Sequence, residues 1–256
     1  MIEILKGDIK ELSHMKKYPK NIFYKGDAGL LQRKKISIVG SRKPNQYARH
    51  MTHEIASKLA NAGLCIVSGG AIGIDIIAHK AAGAKNTIMV AGTGLDKYYP
   101  SINKNVIQDI EKDGLVLSQF EAGTPSKRYN FPLRNELLVA LGEVLIVMYA
   151  DKNSGTMRSV EYAKKMGKEI YVLPHRIGES DATNLLLEDG TAQAIYDVDK
   201  FVNKFGYFEK KDCDEFFEFC KSCPTYEEAL RKFPNRVFVS ELNGDIKVVN
   251  AKVYLC

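Results

Sequence analysis

The chain has 256 residues and a mass of 28.6 kDa, with 45% apolar and 27% charged residues. That composition excludes wholesale disorder, and the length allows one large domain with a small appendix. No apolar run reaches the ~18–20 residues of a membrane span, and the first residues lack an apolar signal core, so a cytoplasmic protein away from membranes is expected.

The net charge is +6, but it is unevenly placed. Residues 1–50 hold 12 basic and 4 acidic residues, whereas residues 51–200 hold 16 and 18. The excess ends at Arg42, Lys43 and Arg49. A focused cationic segment suits phosphate or nucleic acid, and a solvated lysine face accounts for it equally well. The five cysteines are odd in number in a chain with no export signal, so structural disulfides are not expected. Cys65 lies in an apolar strand pattern. Cys220 and Cys223 have the spacing of half a zinc site, but no second tight pair accompanies them.

Residues 36–200 alternate apolar runs with helical patterns. Ile36–Val39 reads as a strand ending at Gly40. Met51, Ile55 and Leu59 recur every four residues and predict a helix over 47–61, stopped by Gly63. Leu64–Val67 is the next strand, and Asp75–Ala82 the next helix. Strand Thr87–Val90, helix Asn103–Asp113 and strand Leu115–Leu117 follow. Helix Asn135–Leu141 precedes an apolar strand at Val144–Met148. Helix Val160–Met166 and strand Ile170–Leu173 close the series. Alternation of this kind predicts an α/β fold: a mostly parallel, doubly wound, Rossmann-like sheet with helices on both faces. Ligands of such sheets sit beyond the carboxyl ends of the strands. Three segments are expected: 1–35 as an N-terminal extension packed on the sheet domain, 36–205 as the Rossmann-like domain, and 206–256 as a small module. In that last segment a helix at Thr225–Arg231 and a hairpin of Arg236–Ser240 with Ile246–Val249, turning at Asn243-Gly244, predict a winged-helix-like unit.

Three strand-end loops carry the polar signal. Gly40-Ser41-Arg42-Lys43 offers close approach, a hydroxyl and two cations at the start of a helix, a combination suited to phosphate. Ser68-Gly69-Gly70-Ala-Ile-Gly-Ile-Asp75 also runs from strand to helix. It has neither the dinucleotide-binding spacing nor a P-loop Gly-Lys-Ser/Thr, and a tight turn is its plain alternative. Asp75 can serve there as a helix cap. Residues 124–135 combine Lys127, Arg128 and Arg134 with Tyr129, Phe131, Asn130 and Asn135 in an expected loop. Cations interleaved with aromatic rings suit single-stranded nucleic acid, where cations hold phosphates and rings stack on bases. The alternative is that the rings anchor the core. The five histidines show no metal-ligand spacing, no carboxylate cluster occurs, and Gly-x-Ser-x-Gly is absent. Catalytic residues, metal and cofactor are therefore not expected.

Taken in order, these segments resemble the DNA-processing protein A (DprA/Smf) family. The resemblance runs through Tyr18-Pro-Lys-Asn-Ile-Phe-Tyr-Lys-Gly26, Ile38-Val-Gly-Ser-Arg42, Ser68–Asp75 with Ala78-His79, and Gly92-Thr-Gly-Leu-Asp96 with Tyr99-Pro100. It continues through Asn130-Phe-Pro-Leu-Arg-Asn135, Ser154-Gly155 and Thr183-Asn184-Leu185. It implies an extended Rossmann-like domain that binds single-stranded DNA in natural transformation, protects incoming strands and loads the RecA recombinase, as a homodimer and without catalysis. By motif it implies Arg42 and Arg128 as the principal DNA-contacting cations. Gly40, Ser41, Ser68 and Gly69 would line phosphate pockets, and Phe131, Arg134 and Asn135 would shape the base-contacting loop. The sequence departs from the family pattern at Glu136, at Tyr149 and at His175. A rival reading is a nucleotide-derived ligand-binding enzyme of the phosphoribohydrolase type, echoed by Ser154-Gly-Thr156 with Glu161, although the full Pro-Gly-Gly-x-Gly-Thr is absent.

Overall fold

The computed structural model describes residues 1–206, 215–242 and 244–255. The chain divides into two compact units, Met1–Tyr207 and Phe208–Cys256.

The first unit is built on nine strands. They are β1 (Glu3–Ile4), β2 (Phe23–Gly26), β3 (Lys35–Val39), β4 (Cys65–Ser68), β5 (Thr87–Val90), β6 (Leu115–Ser118), β7 (Leu145–Val147), β8 (Ile170–Val172) and β9 (Gln193–Ala194). Their spatial order is β1-β2-β6-β5-β4-β3-β7-β8-β9. Strands β3 to β9 pair in parallel, and β1 and β2 extend the β6 edge in antiparallel pairs. The order runs outward from β3 to β6 on one side and from β7 to β9 on the other. The chain therefore reverses direction at the β3/β7 pair, and a crevice opens there beyond the strands' carboxyl ends. Residues 1–35 are not merely packed on this sheet; they supply two of its strands, because β2 finds an unpaired edge on β6.

Both faces are apolar, which is why the parallel strands read as continuous hydrophobic runs. On one face Ile36, Ile38 and Ile66 meet Ile55 and Leu59 of α1 (Gln46–Asn61), Ile74 and Ala78 of α2 (Ile74–Ala82), and Phe201. On the other, Val39, Val67, Val90 and Val147 meet α4 (Asn130–Leu141) and Val160 of α5 (Gly155–Lys165). Helix α3 (Lys104–Asp113) packs Ile107 and Ile110 on Met89 and Val116. Leu137, Leu138, Val139 and Leu141 are all buried and belong to this core. Helix α1 starts where Asn45 accepts the Ala48 amide, and ends at Gly63, whose φ of +85° closes the turn. Two further helices, α6 (Asp181–Glu188) and α7 (Val198–Val202), complete the unit.

Helix α4 begins at Asn130, five residues before the expected start. Asn130 donates through its side-chain amide to the carbonyls of Gly92 (3.0 Å) and Pro125 (3.1 Å), and so nails the helix start to the end of β5. Pro132 sits in the first turn, where a missing N–H costs nothing.

In the second unit α8 (Glu215–Cys220), α9 (Tyr226–Lys232) and α10 (Pro234–Leu242) precede a hairpin of β10 (Ile246–Val249) and β11 (Lys252–Leu255). Phe216, Ala229, Val237, Ile246 and Val253 form its core. The expected strand at Arg236–Ser240 is instead the body of α10. Pro234 opens it, and it buries Val237 and Ser240, three apart, with Phe238 and Val239 exposed, a helical rather than an alternating pattern. The hairpin turn accordingly falls at Asn250-Ala251, both with positive φ as a two-residue turn of type I′ requires. Asn243 of the expected turn, and Cys213 and Cys256, lie outside the described residues.

Candidate nucleic-acid interface

Three of the expected loops meet at the carboxyl end of the sheet. The Gly40–Lys43 loop leaves β3, and its backbone is held from two sides. The Ser41 amide donates to the Tyr149 carbonyl beyond β7 (2.8 Å), and the Ser41 carbonyl accepts from the Ile74 amide at the start of α2 (3.2 Å). Gly73 makes that second contact possible. Its φ is +86°, and a Cβ there would stand 2.4 Å from the Ser41 carbonyl oxygen and 2.7 Å from the Arg42 backbone. The two glycine-bearing loops are thus locked together, and Arg42 is presented outward. Its guanidinium lies 5.8 Å from the centre of the Phe131 ring. Tyr99 flanks the same ring at 5.6 Å, and Gly92 lies flat beneath it: a Cβ on Gly92 would come within 2.9 Å of the ring.

Arg42 and Phe131 form a partition between two hollows. The smaller, of about 140 Å³, is bounded by Gly70, Ile72, Gly92, Tyr99 and Arg134 beyond β4 and β5. The larger, of about 410 Å³, lies in the β3/β7 crevice between Gly40–Lys43 and residues 151–159. Arg42, Ala71, Phe131 and Arg134 line both.

The expected site residues separate into two groups. Arg42, Lys43, Lys127 and Arg128 are exposed cations, with Phe131 and Asn135 half-buried beside them. Lys127 stands 5.7 Å from the ring of the exposed Tyr129, and Arg128 has no hydrogen bond or ion pair among the described residues. Lys127 and Arg128 sit in the turn leading to Asn130, outside the walls of both hollows. The other group points inward. Ser68 is fully buried and donates to the Ile38 carbonyl (2.7 Å), so it offers no hydroxyl to a phosphate. Asn130 is 1% exposed and spends its amide on Gly92 and Pro125. Arg134 is 5% exposed, and its Nη1 donates to the Val90 carbonyl at 2.7 Å. It lies on Gly69 so closely that a Cβ there would meet it at 1.8 Å. Ser68 and Asn130 spend their side chains within the fold, whereas Arg134, held by Val90, still lines both hollows.

Behind the wall is a buried polar cluster that sequence reasoning did not find. Burial raises the Asp75 carboxyl, while the positive charge of Arg134 opposes that rise. Burial lowers the Arg134 guanidinium, offset by Asp75. His79 donates from Nε2 to the Gly69 carbonyl at 2.7 Å, and burial pushes it down to about 4, so it is neutral at pH 7. The only sequence hint was the co-occurrence of Asp75 and His79 one helical turn apart.

The departures from the family pattern have structural partners. Tyr149 and His175 pack edge-on at 5.2 Å, with Tyr47 at 5.5 Å on the other side of the imidazole. Glu136 accepts the Lys16 amide at 2.9 Å and so ties α4 to the N-terminal segment. Among the described residues no cluster of His, Cys, Asp and Glu could hold a metal, and no helix is long and apolar enough to cross a membrane.

Fold and site together define a class: an extended Rossmann-like protein with a cationic, aromatic-walled cleft at its strand ends. Within that class the chain belongs to the family described as DNA recombination-mediator protein A, whose model matches residues 9–206. It is 38% identical over 185 residues to the DNA processing protein DprA of Streptococcus pneumoniae, covering 70% of this chain and 65% of that protein. It is 32% identical over 178 residues to the Escherichia coli protein Smf, covering 68% and 48%. Among these and a Synechocystis Smf, the match spans between 36% and 65% of the relative's length. A Helicobacter pylori DNA processing protein A, solved in a study of its single-stranded DNA binding mode, superposes with a TM-score of 0.78 at 41% identity. That match covers 79% of this chain and 94% of the other. The S. pneumoniae DprA structure gives 0.74 at 34% identity, covering 81% and 75%.

Proposed function

We propose that this protein binds single-stranded DNA along the carboxyl edge of its sheet, without catalysing a reaction on it. The observation that carries the reading is the Arg42–Phe131 contact in the wall of two hollows, with the exposed Lys127 and Arg128 one turn away. Cations there neutralise phosphates while the Phe131 and Tyr99 rings receive unstacked bases. A duplex keeps its bases paired and stacked and so has none to offer to hollows of this size. The H. pylori relative, studied for its single-stranded DNA binding mode, supports the same reading. Family membership supports the finer proposals: the protein acts in DNA uptake during transformation, works as a homodimer, and hands its strand to the RecA recombinase.

An electrophoretic shift across a salt series tests the core reading. Oligothymidine is retarded at concentrations where the matching duplex is not, and its affinity falls steeply with salt. Equal affinity for duplex and single strand, or unchanged affinity in both Arg42→Ala and Arg128→Ala, overturns it. Recombinase transfer is read separately, as faster filament growth on strands precoated with this protein.

A further inference from the structure

The larger hollow contains more hydrogen-bond donors than its own residues satisfy. Helix α5 opens into it with free backbone N–H groups at Gly155 and Thr156, which find no acceptor among the described residues. Ser154, at the cap position, makes no side-chain cap, and its Oγ is buried without a partner. Ser159, one turn further on and 0% exposed, lines the same hollow, and its Oγ is also unpartnered. Buried hydroxyls are rarely left so, and two at one helix start mark a missing acceptor. The opposite wall brings Arg42 and Lys43. Two carboxylates also line the hollow: Asp75 is buried in the cluster with Arg134, and Asp151 is exposed at the rim. Topology points to the same place, because this is the crevice where strand order reverses.

We propose that this hollow is a site for a phosphate monoester, the 5′-phosphate of a nucleotide. Two N–H groups and two hydroxyls match a monoester, which presents three terminal oxygens and two charges, better than an internal diester with two free oxygens. The helix N-terminus favours the anion, and Arg42 and Lys43 balance its charge. The 410 Å³ volume falls in the range of small-ligand pockets, roughly 300–1,000 Å³, and leaves room for the nucleoside against Phe131. The phosphate has two possible sources, a free mononucleotide or the 5′ end of a strand. The site does not depend on binding along an internal stretch of DNA.

The test uses the full chain. Amide spectra are followed during titration with thymidine 5′-monophosphate, inorganic phosphate and thymidine, and calorimetry compares oligothymidine with and without a 5′-phosphate. Gly155→Pro removes one donor while keeping the helix. The position is the first of α5, Ser154 before it is extended (φ −85°, ψ 157°), and no atom lies within 4 Å of a Cβ there. Gly155→Ala keeps the donor and is the control. The monophosphate shifts the Gly155 and Thr156 amides and thymidine does not. Gly155→Pro weakens the monophosphate roughly tenfold or more, as loss of a charge-assisted hydrogen bond implies, and Gly155→Ala binds as wild type. Ser159→Ala moves affinity the same way. Tighter binding of the phosphorylated oligothymidine assigns the site to strand ends; equal oligonucleotide affinities with the monophosphate effect intact assign it to free nucleotides. The proposal is overturned when neither phosphate probe shifts those amides, or when the proline and alanine variants bind alike. Loss of all oligothymidine binding with the monophosphate response intact sinks only the polynucleotide reading.

Discussion

The cleft has an inner wall and an outer rim, and each carries an arginine: Arg134 packs on Gly69, and Arg42 stands over the Phe131 ring. Arg134 in the wall is enclosed, bonded to the Val90 carbonyl and electrostatically tied to Asp75. Arg42 on the rim is exposed, stands 5.8 Å from the ring centre and makes no side-chain hydrogen bond or ion pair among the described residues. One guanidinium is a girder and the other is available. The difference is not chemical; it follows from surroundings, Arg134 packed on Gly69 beneath the strand ends and Arg42 exposed on its loop. The family resemblance implies Arg42 as a DNA-contacting cation and Arg134 as a residue that shapes the base-contacting loop; in the structure the first is exposed and the second buried.

The sharpest way to break this contrast is Arg134→Ala. It leaves the buried Asp75 without its counter-charge and opens a void, so the sheet unit loses about 3–5 kcal/mol in denaturant melts. A loss under 1 kcal/mol makes the wall a fiction. The next effect is on pH. His79 has a folded value of about 4, below the ordinary 6.5, so between those pH values the unfolded chain takes up a proton that the folded chain refuses. Stability therefore falls as pH drops from about 6.5 to about 4, by about 3 kcal/mol from this group, and the contribution levels off below. His79→Gln keeps a donor for the Gly69 carbonyl and removes the titration, so its melts show a shallower slope in that window. A slope identical to wild type contradicts the buried neutral imidazole. Third, Phe131→Leu keeps an apolar plug over Gly92 but removes the ring, and costs about 1–3 kcal/mol of oligothymidine affinity with little change in melting. The smallest effect belongs to the rim. Arg42→Ala leaves stability unchanged and reduces the slope of log affinity against log salt by about 1, as does Arg128→Ala. If Arg42→Ala destabilises the protein as much as Arg134→Ala does, wall and rim are one structure.

Much of the fold was legible because its signals are local. Apolar runs between glycines gave the parallel strands β3 to β8, and the four-residue spacing of Met51, Ile55 and Leu59 gave α1 nearly to its ends. Antiparallel β1 and β2 were not legible. They are short, and their place depends on the free edge of β6, more than 85 residues away in the chain. Helix α10 was misread as strand because Val-Phe-Val is rich in β-forming residues, while packing of Val237 in the small core favours a helix. The site showed the same division. The three loops and their cations are visible in order, yet nothing local shows that Ser68 is spent on Ile38, Asn130 on Gly92 and Pro125, or that Arg134 is held by Val90.

The amino-acid order by itself determined the alternation of strand and helix, the clustering of cations near the strand ends and the family to which the chain belongs. Tertiary structure alone decided which polar groups are spent. Ser68 meets Ile38, Arg134 meets Val90, and His79 meets Gly69 across the fold, whereas Ser154 and Ser159 meet nothing. A hydrogen-bond partner is fixed by distance in space, and distance along the chain does not report it, so the line between scaffold and binding surface emerges only once the sheet has closed its loops together.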